Sequence, residues 1–100
     1  MYVIIWEFMV RPECVEDFER AYGDDGDWVQ FFQAGHEYKG TELLKDPENA
    51  FRYMTIDRWG SASAYHAFRK KRRNEYAALD RRFQQWTTRE TFIGSFTTLW

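Results

Sequence analysis

The sequence has few of the residues that stabilise small domains through covalent or metal links. Its single cysteine, Cys14, excludes an intramolecular disulfide, and its two histidines, His36 and His66, show no metal-ligand spacing. We therefore predict no metal and no cofactor. A lone cysteine is typical of proteins that work in a reducing compartment, so a cytoplasmic location is expected.

The chain also lacks a strong excess of charge of either sign. Fourteen Lys and Arg residues against sixteen Asp and Glu residues give a net charge of −2 at pH 7. This balance argues against a dedicated nucleic-acid-binding or anionic-membrane-binding protein. The apolar run at residues 3–5 has no basic segment before it and is interrupted at Glu7, so we expect neither a signal peptide nor a membrane span.

Aromatic residues, in contrast, are abundant. Nine Phe, six Tyr and five Trp occur in 100 residues, a length that predicts one domain over residues 1–100. A core of this size does not easily hide so much large apolar surface, and the surplus usually contacts a partner or a ligand.

The first third of the chain predicts a strand followed by helices. Residues 2–10 are β-branched and aromatic with little polar interruption, which is typical of a strand covered on both faces. Pro12 suits the first turn of a helix, and apolar residues recur at helical spacing as far as Tyr22. Residues 28–34 are predicted to form a second short helical piece that ends at Gly35.

The middle of the chain predicts a hairpin. Residues 36–45 and residues 50–59 have strand character and are separated by a turn cluster at residues 46–49. Alternation along the third strand places one set of side chains on one face and the remainder on the other. The first set is Phe51, Tyr53, Thr55, Asp57 and Trp59, and the second is Arg52, Met54, Ile56 and Arg58.

The last part of the chain predicts a long helix and a final strand. Ser61 is a good N-cap, and an apolar stripe recurs at intervals of three and four residues up to Trp86, over about six turns. Asn74 is the expected position of a break, and residues 91–100 are the expected last strand. The order β-α-β-β-α-β predicts an α+β, ferredoxin-like fold, in which a four-stranded antiparallel sheet carries both helices on one face.

Such a sheet has one face without helices, and here that face is not polar. The first strand is apolar on both faces, so a second copy of the chain packing sheet against sheet would bury the exposed side chains. We therefore predict a homodimer that forms a dimeric α+β barrel.

Three stretches give the chain a resemblance to a known family. They are residues 6–12 leading into 15–18, Gly35 followed by a strand ending at 42–44, and residues 53–65, which contain the pattern Trp-x-Ser-x-x-Ala-aromatic. In these the chain resembles the antibiotic-biosynthesis-monooxygenase-like (ABM) superfamily. The resemblance implies the same ferredoxin-like fold and the same dimer.

The resemblance implies several activities rather than one. The superfamily includes cofactor-independent oxygenases of polycyclic aromatic compounds, haem-degrading oxygenases and quinol-handling proteins, and one fold hosts all of them. The haem-degrading members carry a haem-ligating His late in the second helix and an Asn in the first strand. This chain has neither, and Asp80 in the corresponding helical region is a poor axial ligand, so haem degradation is not expected.

Two functions of different classes remain open. The first is a cofactor-independent monooxygenase, an oxidoreductase acting on a small aromatic or quinone-like molecule. The second is a non-catalytic dimeric protein that binds a small ligand or serves as an accessory protein.

The predicted pocket consists of Tyr53, Trp59, Tyr65 and His66, with His66 and Trp59 as the catalytic candidates. His66 could accept a proton from a phenolic substrate because imidazole titrates near neutrality, or it could be a boundary residue. Trp59 could line the pocket or fill the corner between strand and helix.

Two charged features have structural explanations. Glu7 interrupts an apolar strand and needs a partner, for which Arg52 and Arg58 are the candidates; a catalytic carboxylate is the alternative. The basic run at residues 69–73 spreads over more than one helical turn and is interpreted as a solvated face. The third strand also lacks the Gly-aromatic pattern of an RNA-stacking strand, so no nucleic-acid partner is predicted.

Overall fold

A computed structural model describes residues 1–99, and the predicted end of the last strand at Trp100 lies outside them. Four strands form one antiparallel sheet in the order β2-β3-β1-β4. The strands are β1 (Tyr2–Val10), β2 (Tyr38–Lys45), β3 (Arg52–Trp59) and β4 (Thr87–Thr97). The helices are α1 (Val15–Tyr22), α2 (Asp27–Phe32), α3 (Ala62–Lys71) and α4 (Arg73–Phe83). The predicted α+β, ferredoxin-like fold is confirmed.

Strand β1 lies inside the sheet, with a hydrogen-bonded strand on each edge and helices over one face. It pairs with β3 from Tyr2 to Met9 and with β4 from Tyr2 to Val10. Its even-numbered side chains face the helices, and Ile4 and Phe8 are almost completely buried there.

Aromatic rings provide most of the contacts between this sheet and the helices. Phe18 of α1 lies with its ring centroid 5.3 Å from Phe8 of β1 and 4.2 Å from Tyr22. Phe83 of α4 completes the cluster 5.9 Å from Tyr22. Phe18 and Phe83 are at most 1% exposed, so the centre of the core is built from these rings.

Several predicted boundaries differ from the structure by two to four residues; β2 begins at Tyr38 and β3 at Arg52, each two residues after its predicted start. The long helix breaks at Arg72, whose ψ of 28° leaves the helical region, rather than near Asn74. Strand β4 begins at Thr87, four residues before the predicted start at Thr91. The residues between are polar and give no strand pattern, but pairing of Thr87 with Val10 of β1 recruits them into the sheet.

The sheet face opposite the helices has no cover within residues 1–99. Leu44, Ile93 and Phe96 are 41%, 44% and 50% exposed. By alternation, the face also carries Val3, Ile5, Met9, Met54 and Ile56. No helix within residues 1–99 combines the length and the apolarity required to cross a bilayer.

Ion pairs cross this uncovered face between neighbouring strands. Arg52 Nη2 lies 2.6 Å from Glu7 Oε2, which confirms the predicted structural pairing and selects Arg52 as its partner. Arg52 also contacts Asp46 at 3.1 Å, and Arg58 pairs with Glu42 of β2 at 2.5 Å. Arg52 and Arg58 are thus matched by carboxylates within the chain, which lowers the cost of covering them with a partner surface.

Trp59 connects the end of β3 to the helices. It is 0% exposed and contacts Tyr38, Phe32 and Phe68 at ring-centroid distances of 5.3, 5.8 and 5.3 Å. The chain passes so close to its indole that a Cβ at Gly35 would lie 2.6 Å from Trp59 Cη2. Only glycine fits this contact without a shift of the ring.

Gly35→Ala is therefore expected to destabilise the protein by about 1–3 kcal/mol, the usual cost of overpacking a core. The free energy of unfolding from urea titration, followed by tryptophan fluorescence, measures the effect. The exposed neighbour provides a control, since Gln33→Ala is expected to change stability by less than about 0.5 kcal/mol. Equal stability of Gly35→Ala and the wild type would show that the ring can move freely.

Candidate functional site

A cavity of about 190 Å³ lies between the sheet and the helices and is partly open to solvent. Aromatic side chains from β1, α1, α2 and α4 form most of the cavity wall. They are Trp6, Phe8, Tyr22, Trp28, Phe32 and Tyr76. An apolar cavity of about 150 Å³ is large enough for benzene, so this volume suits an aromatic molecule of one or two rings.

The polar side chains at the cavity come from five different elements. They are Thr41, Thr55, Asp57, Arg69, Asp80 and Glu90. Asp57 lies on the helix-covered face of β3, because alternation along the strand places it on the same face as Thr55 and Trp59. A carboxylate is thereby held among aromatic rings.

Asp57 is oriented by a chain of hydroxyl groups on β2. Thr41 Oγ1 donates to Asp57 Oδ1 at 2.6 Å, and Tyr38 Oη lies 2.6 Å from the same Thr41 oxygen. A threonine hydroxyl has one proton, so the Tyr38 hydroxyl donates to Thr41 while Thr41 donates to Asp57. The relay fixes one carboxylate oxygen of Asp57.

Burial raises the pKa of Asp57 from its ordinary value of 3.8 to about 6, and the hydrogen bond from Thr41 offsets this only in part. No lysine, arginine or histidine within residues 1–99 forms an ion pair with Asp57. A carboxylate with a pKa near neutrality can accept a proton from a weakly acidic substrate, which is the property that a general base requires.

A second acidic region lies at the other end of the cavity. Glu90 of β4 accepts a hydrogen bond from Thr87 Oγ1 at 2.9 Å, and burial raises the pKa of its carboxyl group. Glu90 pairs with Phe8 of β1, whereas Asp57 pairs with Ile4. Four residues of extended strand separate those positions by roughly 13 Å, so the two carboxylates act independently.

Arg69 brings the positive charge of α3 to the cavity. Its Nη1 donates to Tyr65 Oη at 2.8 Å, and its guanidinium carbon lies 3.6 Å from the ring centroid of Tyr76. The interpretation of residues 69–73 as a solvated face is wrong for Arg69, which is half-buried, while Lys70 and Lys71 are exposed.

None of the four side chains that the sequence predicts for the pocket is among the residues that line this cavity. Trp59 and Tyr65 contact one another with centroids 5.6 Å apart, and Tyr65 supports Arg69. His66 is exposed, with its ring 6.0 Å from Tyr2. Tyr53 lies apart, under α1, where its hydroxyl donates to Glu19. Their predicted roles in substrate binding and catalysis stay predictions.

The indole of Trp59 nevertheless retains an unused donor. Its Nε1 is buried and has no hydrogen-bond partner within residues 1–99. A buried indole N–H usually finds a partner, so this donor is unexplained by the contacts of the fold.

Sequence reasoning missed Asp57 and Arg69, although signals for both were present. Asp57 stands on the same strand face as four residues expected in the core, and a carboxylate in that pattern requires an explanation. Arg69 follows Tyr65 at a spacing of four residues, which places the two side chains together on a helix. Tyr76, seven residues further along the chain, lies against the same guanidinium group.

The fold and the cavity define a small α+β protein with an enclosed, aromatic-walled site for a compact ligand. The family model for antibiotic biosynthesis monooxygenase (ABM) matches residues 1–78. The chain therefore belongs to the ABM family. None of the curated proteins matches its sequence.

Solved structures share the same fold at low sequence identity. A Nitrosomonas europaea protein that carries the family name superposes with a TM-score of 0.76 at 15% identity, with both chains covered completely. SnoaB, a cofactor-independent oxygenase from Streptomyces nogalater, superposes with a TM-score of 0.70 at 18% identity, over 97% of this chain and 91% of its own. At such identities the likeness shows the fold alone.

The raised pKa of Asp57 predicts a pH-dependent stability difference between the wild type and Asp57→Asn. The carboxyl group ionises near pH 4 in the unfolded state and near pH 6 in the folded state. Between these values the unfolded state ionises first, so the wild type loses stability relative to the variant, and the loss levels off above pH 6. From pH 4 to pH 8 the stability difference is therefore expected to shift in favour of the Asn variant by roughly 2–3 kcal/mol.

Denaturant unfolding of both proteins between pH 4 and pH 8 measures this difference. A ¹³C NMR titration of the Asp57 carboxyl carbon should show a midpoint near 6. A stability difference that stays constant over the whole pH range would mean that the carboxyl group has an ordinary pKa.

Proposed function

We propose that this protein is a cofactor-independent monooxygenase that oxidises a small aromatic molecule of one or two rings, with Asp57 as the general base. The observation that carries the proposal is the Asp57 carboxylate, with a pKa of about 6, at the wall of an aromatic cavity. Membership of the ABM family and the fold shared with a cofactor-independent oxygenase support the same reaction class.

The substrate supplies all the electrons in this reaction. Asp57 removes a proton from an acidic C–H group conjugated with a phenol or a ketone, and the resulting electron-rich anion transfers electrons to O₂. A C–O bond forms to give a hydroperoxide, which loses water as the carbonyl group forms. One CH₂ group and one O₂ molecule thus become one C=O group and one water molecule, and no external reductant is needed.

The surroundings of Asp57 suit the base in this sequence. The aromatic wall limits water near the anion, which strengthens electrostatic interactions within the cavity. The relay from Tyr38 through Thr41 holds one carboxylate oxygen in place and leaves the other for the substrate. The predicted roles of Trp59 as a hydrogen-bond donor and of His66 as a proton acceptor are parts of the same proposal, to be separated by mutation.

A homodimer is the proposed working form. The uncovered sheet face carries apolar side chains across all four strands, and Arg52 and Arg58 are already paired within the chain. A second copy packed on this face would bury those apolar side chains and leave both arginines with their carboxylate partners.

The alternative is a non-catalytic protein that binds a small aromatic ligand in the same cavity. Ligand binding without oxygen consumption would identify it.

Oxygen uptake by the purified, metal-free protein with 2-tetralone and with related phenols and quinols of one or two rings tests the activity. Asp57→Asn is expected to lower kcat by about 100-fold or more, because removal of a general base typically has an effect of that size. The exposed Asp24 offers a matched control, since Asp24→Asn makes the same chemical change far from the cavity. Uptake equal to that of buffer across the panel would leave only the binding protein.

The pH profile and two further variants separate the candidate bases. With Asp57 as the base, kcat/KM should rise with pH through about 6, because the carboxyl group must ionise before it can accept a proton. His66→Ala is then expected to retain activity, and Trp59→Phe should lower it by removal of the indole donor. Loss of uptake in His66→Ala with full activity in Asp57→Asn would transfer the role of base to His66.

For the dimer, light scattering should give a mass of twice 12.2 kDa for the wild type. Ile56→Glu places a charge in the middle of the uncovered face and should yield the monomer mass, with the circular dichroism spectrum unchanged. Ala67→Glu introduces the same charge on an exposed position of α3 and should leave the mass unaltered. A wild-type protein of monomer mass at micromolar concentration would contradict the dimer.

A further inference from the structure

Arg69 is held in place by aromatic side chains rather than by an acid. Tyr65, one helical turn before it, accepts a hydrogen bond from Nη1 at 2.8 Å. Tyr76 of α4 lies beneath the guanidinium group, with 3.6 Å between the ring centroid and the Arg69 Cζ atom. These contacts fix the orientation of the group and neutralise none of its charge.

Within residues 1–99, Arg69 has no carboxylate partner within ion-pair distance, although the sequence is rich in acids. Five other arginines form such pairs: Arg20, Arg52, Arg58, Arg72 and Arg82. The exposed arginines can leave their charge to water, but Arg69 is half-buried at the cavity wall. A partly desolvated guanidinium favours an anion nearby.

Asp57 and Arg69 line the same cavity without pairing with one another. Opposite charges attract strongly where water is limited, so each must be restrained. Thr41 restrains Asp57, and the two tyrosines restrain Arg69. The arrangement leaves a carboxylate acceptor and a guanidinium donor available to one enclosed molecule.

We propose that Arg69 binds the substrate oxygen that becomes negatively charged when Asp57 removes the proton. In that step the substrate C–H or O–H bond breaks, a bond forms between the proton and an Asp57 oxygen, and the electron pair moves through the conjugated system onto the oxygen at Arg69. The guanidinium group suits this role because it is always protonated and five N–H donors are distributed over its plane. The assignment rests on the proposed function for its substrate class, but it can be measured without turnover.

The test uses 4-hydroxybenzaldehyde under anaerobic conditions, a one-ring phenol whose anion delocalises onto a carbonyl oxygen. The absorbance of the phenolate reports the apparent pKa of the bound probe. In Arg69→Gln this pKa should be about one to two units higher than in the wild type, a tenfold to hundredfold loss in the ionisation constant, because a charge-assisted hydrogen bond is lost. Arg73→Gln removes the same charge from an exposed position on the next helix and should match the wild type.

Arg69→Lys separates the charge from the geometry. It retains the positive charge but loses the planar donor group, so an intermediate pKa of the bound probe is expected. If Arg69→Gln fails to fold by circular dichroism, the uncharged variant Arg69→Met takes its place, and a probe pKa in that variant equal to that of the wild type would overturn the assignment.

The remaining outcomes distinguish this inference from the proposed function. A probe that ionises in an Arg69-dependent manner, in a protein that consumes no oxygen with any substrate, would support the role of Arg69 and refute the monooxygenase. Oxygen uptake together with the same probe pKa in Arg69→Gln and the wild type would refute the role of Arg69 alone. No binding of the probe to the wild type would also overturn it.

Discussion

The packing of aromatic rings against one face of the sheet is the constraint on which the rest of this structure depends. β1 lies at the centre of the sheet, and Phe8 brings the rings of α1 against it. Rigid rings close-pack only in certain relative orientations, and at the junction of β3, α3 and α4 they leave a space of about 190 Å³. The cavity is therefore a consequence of the same aromatic composition that forms the core.

That space gives its polar side chains their chemical character. A carboxylate on a solvated surface would have an ordinary pKa, but Asp57 is surrounded by rings and by a relay of neutral hydroxyl groups. The guanidinium group of Arg69 lies against the ring of Tyr76 in similar surroundings, and the faces of aromatic rings attract cations. The same environment thus raises the pKa of the Asp57 carboxyl group and holds a guanidinium group nearby. A hydrogen-bond acceptor and a donor are therefore present at one site.

The two faces of the sheet carry different side chains and have different proposed roles. The helix-covered face contains the cavity and all of the side chains proposed to act in chemistry. The uncovered face has a mixture of apolar side chains and internally paired charges, typified by Glu7 and Arg52, and it offers a surface for association. Family membership and the shared fold agree with the arrangement of sheet and helices, while the proposed roles of Asp57 and Arg69 rest on the cavity of this chain.

The sequence by itself determined the order of elements, the sheet with helices on one face, the pairing of Glu7 with an arginine of β3, and the resemblance to the ABM family. The order of elements and the sheet follow from periodicity and turn residues, which act over short distances along the chain. The pairing of Glu7 follows from the cost of burying a carboxylate without a partner, and the resemblance rests on three stretches of the sequence. The tertiary structure alone decided the break at Arg72, the start of β4 at Thr87 and the meeting of Asp57 with Arg69 at one cavity. Those features depend on which side chains from distant segments of the chain lie together and on how burial there changes the pKa of a carboxyl group. The local sequence pattern determines neither.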